Sequence, residues 1–528
     1  MSGLAAPTPA SSFALVSRDG TWSAAEIRAA GASVAGVLEE EGVGEGAVVA
    51  HQFPLDAAGA AALAALALDA APGCARVLAP AHAEWTPHER DAFIAALRPA
   101  AALTGREVAW PADGWRTRSL AVAGIGEIAL HVRDSALHLA DSTRTHRPAP
   151  AAGAAPSVCT SVPAASAGLR GIGAVLPTSG TEGRPRFALH EWRSLRANAI
   201  ASSERLGFGP GGRWLATLAW AHVGGLAVPL RAAAAGAAVA LAGPRFDAAS
   251  VARALGELAV THLSLVPAML HGLLAVGARP PGSLRAVLLG GAATPPDLVE
   301  RALSAGWPIA LTYGLTEAGS QVTTATPAEV RAGDRSAGVP LTGVEVRIRP
   351  SAAADVGPDG APAPGHIEVR GDTLFRGYVG QPAQPPGAWF ATGDLGRLDA
   401  QGRLEVTGRL SDRIVSGGSN VDPVQVEGVL AAHPEVREVA VIGVPDDRWG
   451  QVVAAVVAGE DPDLPARLDP WCRERLSGPR VPRRWKVLDR LPRTATGKVD
   501  RARLGTLLTG TPTTSWSCSD DAGTCETS

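Results

Sequence analysis

The sequence predicts an α/β protein in which a large N-terminal domain of α/β subdomains plus a β-rich subdomain precedes a small α+β domain. Short apolar runs alternate with Ala-rich helical segments up to about residue 315, as in parallel α/β folds. Segments within 343–407 alternate apolar and polar residues instead, as half-buried antiparallel strands do. Beyond Arg409, a helix near 423–432 precedes two apolar strands and a second helix, which indicates a separate compact unit.

Length and composition narrow the class of protein. A chain of 528 residues exceeds what one hydrophobic core usually supports, so several subdomains are expected. The formal net charge of −3 excludes a strongly basic nucleic-acid-binding surface. The five cysteines are scattered without paired spacing, so we predict neither a disulfide framework nor a cysteine metal site.

The elements follow one another in a recognisable order. Residues 22–40 place apolar side chains on one helical face, Gly42 ends that helix, and 46–53 reads as a strand. Residues 141–168 are rich in Pro, Ala and Ser without periodicity and are predicted to be a linker. Strand–helix alternation then resumes over 213–315.

We predict an N-terminal domain over 1–408, a C-terminal domain over 409–508 and a disordered tail over 509–528, which holds almost no aliphatic side chains. The N-terminus has no basic segment followed by an apolar core, so no signal peptide is expected. The apolar runs at 57–71 and 226–243 are interrupted by charged residues or proline, and no membrane span is predicted. A cytoplasmic protein is therefore expected.

The strongest local chemical signal is LPTSGTEGRPRF at 176–187. Hydroxyl side chains and glycines in one loop allow successive backbone N–H groups to form an anion-binding concavity suited to a triphosphate. No Gly-Lys-Ser/Thr follows, so this is not a Walker A loop. An ordinary surface loop of the same composition remains the alternative.

Four further segments are weaker signals when each is taken alone. In ALTYGLTEAGSQVTT, Tyr313-Gly314 could stack a purine and Glu317 could bind Mg²⁺, or the segment could be a capped strand end. Asp394 lies in a Gly-flanked turn, where a carboxylate can accept ribose hydroxyls. Arg409 lies at the predicted domain junction, and Lys498 follows a glycine in a polar loop suited to a developing negative charge.

Together, in this order, the five segments resemble the adenylate-forming superfamily of acyl-CoA synthetases, peptide-synthetase adenylation domains and luciferases. The resemblance covers about residues 20–508. It implies a mobile C-terminal domain, ATP and Mg²⁺ as cofactors, and activation of a carboxylic acid as acyl-AMP before transfer to a thiol, coenzyme A. It also implies a role for each matching position. The nucleotide-binding positions would be Thr178, Ser179, Gly180, Thr181, Glu182, Gly183, Arg186, Gly290, Gly291, Ala292, Tyr313, Gly314, Asp394 and Arg409.

The same resemblance assigns catalytic roles to Lys498, Glu317 and Thr316, with Glu317 and Thr181 as the magnesium-binding positions. Lys498 would bridge the α-phosphate and the attacking carboxylate, and Thr316 would contact the α-phosphate. Domain rotation would occur about Ser411, a position that is commonly Asp or Lys in the superfamily.

The segments 218–231, 260–274, 285–295 and 313–323 are similar to the o-succinylbenzoate–CoA ligases of menaquinone synthesis. The resemblance implies that Arg231 holds the second carboxylate of the substrate and that Ser320 adds a hydroxyl. His222 would gate the acyl pocket, or it would be a packed histidine at a helix start. Gly224 replaces the usual serine of these ligases, which removes one hydrogen-bond donor.

Other readings of the sequence stay open. The acid could be another aryl or fatty acid, or the acceptor could be a carrier protein rather than coenzyme A. A non-catalytic nucleotide-binding relative would be expected to lack Glu317, Asp394 or Lys498, and all three are present. A homo-oligomer is compatible with the sequence.

Overall fold

Helices and strands alternate along the N-terminal part of the chain, as the sequence predicts. The structure is a computed structural model. It describes residues 14–17, 21–41, 43, 47–52, 77–80, 97, 99, 101–105, 115–122, 126–133, 172–178, 186–243, 245–350, 364–412, 414–416, 419–421, 423–446, 448–476, 478–493, 499–509, 516–518 and 525–527. The linker predicted at 141–168 lies outside the described residues.

The described helices carry the labels α1 to α10 in chain order. They are α1 (Ala24–Glu40), α2 (Trp192–Leu206), α3 (Val223–Ala235), α4 (Ala248–Glu257), α5 (Pro267–Ala275), α6 (Pro296–Ser304), α7 (Pro327–Arg331), α8 (Pro423–Ala431), α9 (Leu464–Arg475) and α10 (Arg501–Thr509). Three short 3-10 turns span Thr316–Ala318, Leu410–Asp412 and Gly478–Arg480.

The described strands carry the labels β1 to β28. The first twenty-one are β1 (Ala14–Val16), β2 (Thr21–Trp22), β3 (Val48–Gln52), β4 (Val77–Pro80), β5 (Ala101–Gly105), β6 (Trp115–Val122), β7 (Gly126–Arg133), β8 (Ala174–Thr178), β9 (Arg186–His190), β10 (Arg213–Ala216), β11 (Ala238–Leu241), β12 (His262–Leu265), β13 (Ala286–Leu289), β14 (Ile309–Leu315), β15 (Ser320–Ala325), β16 (Val339–Pro340), β17 (Val344–Arg349), β18 (Gly365–Gly371), β19 (Gly377–Tyr378), β20 (Phe390–Leu398) and β21 (Leu404–Arg409). The others are β22 (Ile414–Ser416), β23 (Ser419–Val421), β24 (Glu438–Asp446), β25 (Gly450–Ala458), β26 (Arg484–Leu488), β27 (Trp516–Cys518) and β28 (Cys525–Thr527).

Local sequence signals explain where the helices begin and end. At the start of α1, Ser23 and Glu26 form a reciprocal capping box, which satisfies two backbone N–H groups. Helices α2 and α3 end at Gly207 and Gly236, whose φ values of 65° and 60° are left-handed and favour glycine. Helix α1 confirms the helix predicted over 22–40, although it begins at Ala24 because Ser23 caps it.

Two mixed sheets form the bulk of the N-terminal part. The nine-stranded sheet is mainly parallel, whereas the eight-stranded sheet has a parallel centre flanked by antiparallel pairs. Their strand orders are β16-β15-β14-β13-β12-β10-β11-β1-β2 and β19-β9-β8-β4-β3-β5-β7-β6. One buried core joins side chains of both sheets with those of α2 and α3, including Val49, Leu103, Leu195, Trp214, Leu226 and Val239. Helices α2 and α3 therefore fix the position of one sheet relative to the other, as layered α/β folds require.

The β-rich region predicted at 343–407 is confirmed. Strands β17, β18, β20 and β21 form one antiparallel four-stranded sheet in that order. Strand β17 has buried Val344 at its start and alternating exposure after it, so one face packs on the core. This sheet carries Asp394 and Arg409 to the predicted nucleotide site.

The C-terminal part has the predicted order of helix, two strands and helix, given by α8, β24, β25 and α9. The structure also describes two short strands of the tail. Within 509–528, strands β27 and β28 pair with each other, and β27 also pairs with β26, since backbone groups on the edge of β26 accept another strand. The limits proposed at residues 408 and 508 stay predictions. Across the described residues, no helix is long and apolar enough to cross a membrane.

Candidate active site

Two neighbouring parallel strands bring glycines to one edge of the nine-stranded sheet. Gly290 directly follows β13, and Gly314 lies near the end of β14. A Cβ on Gly314 would lie 2.2 Å from the carbonyl oxygen of Ser320, and a Cβ on Gly290 would lie 2.6 Å from Thr312 Cγ2. Both positions therefore need glycine, and they lie at the carboxyl ends of strands, where α/β sheets bind ligands.

Gly291 and Ala292 extend the same edge beyond β13. Gly291 has φ +78°, and both residues are exposed. The backbone here is thus accessible to a ligand, as the predicted adenine and acyl pocket requires.

The 3-10 turn Thr316–Ala318 is held by three separate segments of the chain. Its carbonyl oxygens accept hydrogen bonds from His190 Nε2 at 2.8 Å, from the Phe375 backbone N–H at 2.8 Å and from Asn198 Nδ2 at 3.1 Å. Burial lowers the pKa of His190 to about 4, so its ring is neutral at physiological pH and Nε2 carries the proton that it donates. The turn that presents Glu317 is therefore fixed by tertiary contacts.

Glu317 is a buried carboxylate in this turn. Its Oε1 accepts a 2.5 Å hydrogen bond from the Tyr378 hydroxyl, and no Lys, Arg or His ion pair with it exists among the described residues. A buried carboxylate without a cation is costly unless it coordinates one. Glu317 therefore fits a Mg²⁺ ion, which takes one or two carboxylates together with substrate phosphates.

The two ends of the predicted phosphate loop lie on paired strands. Thr178 ends β8, Arg186 begins β9, and the two residues are register partners. The Thr178 hydroxyl is buried without a hydrogen-bond partner, which leaves a polar group for a ligand to satisfy. The residues between them, Ser179, Gly180, Thr181, Glu182 and Gly183 included, lie outside the described part of the chain.

Tyr313, Asp394 and Arg409 form one network. The Tyr313 hydroxyl donates to Asp394 Oδ2 at 2.6 Å, and Arg409 Nε donates to Asp394 Oδ1 at 2.7 Å. Burial, and then the Asp394 charge, raises the pKa of Tyr313 well above its usual value, so the hydroxyl remains a donor. Each Asp394 oxygen keeps a second lone pair, so the carboxylate can still accept ribose hydroxyls.

Arg231 is a fully buried cation on α3. Its Nη2 donates to Ser320 Oγ at 3.0 Å and its Cζ lies 4.8 Å from the Trp214 ring centroid, but Nε and Nη1 are buried without partners. Burial lowers the pKa of Arg231 to about 9, which leaves it protonated at neutral pH. Ser320 has φ 140°, an unusual conformation for a residue with a side chain, and such strain persists where the surroundings enforce it.

Three further residues were predicted to belong to the site: His222, Ser411 and Lys498. His222 occupies the N-cap position of α3, where its side chain makes no capping hydrogen bond, and it is half-buried. Ser411 lies in the 3-10 turn Leu410–Asp412, directly after Arg409. Lys498 lies outside the described residues, between the bridged residues Arg493 and Val499.

Sequence reasoning missed three residues that contact the site: Tyr378, His190 and Asn198. None belongs to the segments that carried the chemical signals. The chain has only two tyrosines, Tyr313 and Tyr378, and each donates to a carboxylate of the site. The rarity of tyrosine in this sequence was therefore the one signal that could have pointed to Tyr378.

The fold and this arrangement define an adenylate-forming enzyme. The family model described as AMP-binding enzyme matches residues 4–379, and that of the AMP-binding enzyme C-terminal domain matches residues 425–498. The chain belongs to the AMP-binding enzyme family, which confirms the resemblance, the fold class and the ligase class predicted from the sequence.

Relatives within this family are similar over most of their length. A 2-succinylbenzoate–CoA ligase of Bacillus licheniformis is 37% identical over 335 residues, covering 62% of this chain and 69% of the relative. The o-succinylbenzoate CoA synthetase of Bacillus subtilis, solved with its acyl-adenylate intermediate, is 29% identical with a TM-score of 0.73, covering 93% of this chain and 94% of that one. An amide bond synthetase of Marinactinospora thermotolerans is 26% identical with a TM-score of 0.72, covering 94% and 96%.

Proposed function

We propose that this chain is an ATP-dependent carboxylic acid–CoA ligase whose acid is o-succinylbenzoate. In the first half-reaction the acid and ATP give acyl-AMP and pyrophosphate, and in the second coenzyme A gives acyl-CoA and AMP. A cytoplasmic location, where ATP and coenzyme A are available, is part of the proposal.

The observation that carries the choice of acid is the unpaired buried guanidinium of Arg231. A buried charge without a counter-ion costs several kcal/mol, which a bound carboxylate would offset. Arg231 contacts Ser320, three residues after Glu317, so a carboxylate there would lie near the activated end of the same small molecule. An acid with two carboxylates, one held and one activated, meets this requirement.

The chemistry follows from the placement of charges. A carboxylate oxygen of the acid attacks the α-phosphorus, and the bond to the bridging oxygen breaks, so pyrophosphate leaves with the electron pair. Thr178, Arg186 and the 179–185 segment would hold the phosphates, and Asp394 the ribose. A Mg²⁺ ion at Glu317 would neutralise developing charge on the phosphates. Lys498 would stabilise the α-phosphoryl oxygens and the incoming carboxylate.

In the second half-reaction the thiolate sulfur attacks the acyl carbon, and AMP leaves with the electrons of the broken C–O bond. Coenzyme A is a polyanion, and the C-terminal part offers cations to it. Arg483 and Arg448 contact the Trp449 ring at 4.6 and 5.2 Å, and Arg484 and Lys486 follow on β26. These cations favour coenzyme A over the uncharged amine that an amide-forming relative would need.

The test is ATP–pyrophosphate exchange with o-succinylbenzoate, benzoate and a medium-chain fatty acid, followed by product analysis with coenzyme A, dephospho-coenzyme A, a phosphopantetheinyl carrier protein or an amine as the acceptor. We expect o-succinylbenzoate to give the fastest exchange and coenzyme A to be the best acceptor. Faster exchange with a monocarboxylic acid would overturn the assigned substrate, and preference for an amine or a carrier protein would overturn the assigned acceptor.

A further inference from the structure

We propose that Tyr378 is a positioning residue that couples the phosphate loop to the magnesium carboxylate. It does so by holding Glu317 through its hydroxyl and Arg186 through its ring. The inference rests on the proposed function, because it gives Glu317 and Arg186 their roles toward ATP.

The geometry around Tyr378 is specific at both ends of the side chain. The hydroxyl donates to Glu317 Oε1 at 2.5 Å, and the Arg186 guanidinium carbon lies 4.3 Å from the centre of the ring. Tyr378 is buried, and Phe375 packs against it edge to face at 4.8 Å between ring centroids. One side chain therefore contacts both the predicted metal carboxylate and the end of the phosphate loop.

The backbone around Tyr378 reinforces this connection. Strand β19 pairs with β9, the strand that Arg186 begins, with Tyr378 opposite Ala188. The Phe375 backbone N–H donates to the carbonyl oxygen of Glu317 at 2.8 Å. The main chain of segment 375–378 is thus bonded to Glu317 and to the strand that Arg186 begins, and the Tyr378 side chain contacts both residues, so a shift of one partner is transmitted to the other.

The hydrogen bond leaves Glu317 ready for a metal ion. A carboxylate oxygen only accepts, so the Tyr378 hydroxyl is the donor in the hydrogen bond to Glu317 Oε1. With Oε1 fixed by that donor, Oε2 is oriented while it stays open to Mg²⁺. Ring and hydroxyl are separable, because phenylalanine keeps the contact with Arg186 and loses only the bond to Glu317.

The experiment measures ATP binding by isothermal titration calorimetry with and without Mg²⁺, in the absence of acid. Tyr378→Phe should reduce the Mg²⁺-dependent gain in ATP affinity roughly tenfold, the factor expected for one hydrogen bond to a charged group. Its affinity for metal-free ATP should change less than twofold. Tyr378→Leu should weaken metal-free binding as well, since Arg186 also loses the ring.

Two controls show that the effect acts through Glu317. In a Glu317→Gln background, Tyr378→Phe should have no further effect on the Mg²⁺-dependent gain. Ser283→Ala removes one hydroxyl hydrogen bond, to the carbonyl oxygen of Val260, at the amino-terminal end of β13, opposite to the end that carries Gly290, and should leave both affinities unchanged.

A measurement on the unmutated enzyme removes any dependence on how the variants fold. Because the chain has two tyrosines, a protein labelled with carbon-13 at the tyrosine ζ-carbon gives two NMR signals. Adding Mg²⁺ to the ATP complex should shift the Tyr378 signal, assigned as the one that Tyr313→Phe retains.

The inference would be overturned if Mg²⁺ raised the ATP affinity of Tyr378→Phe as much as that of the unmutated enzyme. It would also be overturned if the Tyr378 NMR signal did not shift when Mg²⁺ is added. These readouts need no acid. Failure of the proposed function would instead appear as absent pyrophosphate exchange with every acid while Mg²⁺ and ATP still bind.

Discussion

Arg231 is fully buried, an environment that is unfavourable for a cation unless an opposite charge or hydrogen bonds compensate the lost hydration. Its only described polar partner is the Ser320 hydroxyl, and its guanidinium rests against Trp214. Replacing a buried charge by a well-packed apolar side chain often stabilises a protein. The charge is therefore retained at the expense of stability, which is typical of a binding residue.

Arg231→Leu should raise the free energy of unfolding of the ligand-free protein by about 1–4 kcal/mol and abolish exchange with o-succinylbenzoate. Urea denaturation and the exchange assay measure the two effects. Arg205 is the matched control, because it pairs with Glu329 at 2.6 Å, and Arg205→Leu should destabilise the protein. Destabilisation by both substitutions would show that Arg231 is structural.

Asp394 is the residue whose ribose contact can be tested with the ligand itself. Asp394→Asn keeps the shape but removes the charge that binds both Tyr313 and Arg409, so ATP affinity should fall about tenfold or more. Calorimetry with ATP, 2′-deoxy-ATP and 3′-deoxy-ATP provides the control. The unmutated enzyme should discriminate among the three and the variant should not; equal discrimination by both would exclude the ribose contact.

At the scale of elements, the β14–turn–β15 unit presents the site. Its register shifts between Tyr313 and Gly314, which brings Gly314 against the backbone of Ser320. His190 and Asn198 hold the turn in the middle of this unit. The close approach of two backbones, rather than any single side chain, sets the direction of Glu317.

Gly314→Ala should disrupt this unit, because its Cβ would lie 2.2 Å from the Ser320 carbonyl oxygen. We expect a loss of roughly 1–3 kcal/mol in unfolding free energy and a larger relative loss of exchange activity. Gly256→Ala is the control. Gly256 lies within α4 with no atom near its added Cβ, so this substitution should stabilise by about 0.5–1 kcal/mol. Equal effects of the two would refute the role of the close approach.

At the scale of the whole molecule, buried histidines make stability depend on pH. Burial lowers the pKa of His51 to about 3 and those of His190 and His262 to about 4. The unfolded chain binds these protons near pH 6.5 while the folded chain does not. The free energy of unfolding should therefore keep its whole contribution from these histidines above pH 6.5 and fall as the pH drops toward 4.

Denaturation midpoints between pH 7.5 and 4.5 test this expectation. His190→Gln keeps a donor for the Thr316 carbonyl oxygen but cannot bind the proton. His190→Gln should therefore reduce the dependence of the unfolding free energy on pH. The reduction should be up to about 1.4 kcal/mol per pH unit, the slope that corresponds to one proton. An unchanged slope would show that His190 titrates alike in both states.

The two half-reactions should depend on different cations of the C-terminal part. Lys498→Ala should slow acyl-AMP formation by about 10²–10³-fold and largely spare thioester formation from supplied acyl-AMP. Lys486→Ala, on β26, should give the opposite pattern. Single-turnover assays of each half-reaction measure both, and equal loss of the two steps in Lys498→Ala would refute its assigned role.

Much of the fold could be predicted from the chain because periodicity is local. The antiparallel region and the helices α1, α8 and α9 follow from patterns spanning one element. The strands of the tail could not be predicted, since their pairing depends on the free edge of β26 and not on their own composition. The motif segments also predicted which residues form the candidate site, but not which side chains contact one another within it.

The sequence by itself determined the α/β class, the order of the motif segments and membership of the AMP-binding enzyme family. Only the tertiary structure decided that Arg231 meets Ser320, 89 residues away, and that Tyr378 meets Glu317, 61 residues away. The reason is physical: residue patterns fix local geometry, whereas contact between distant side chains depends on strand register and on how layers pack.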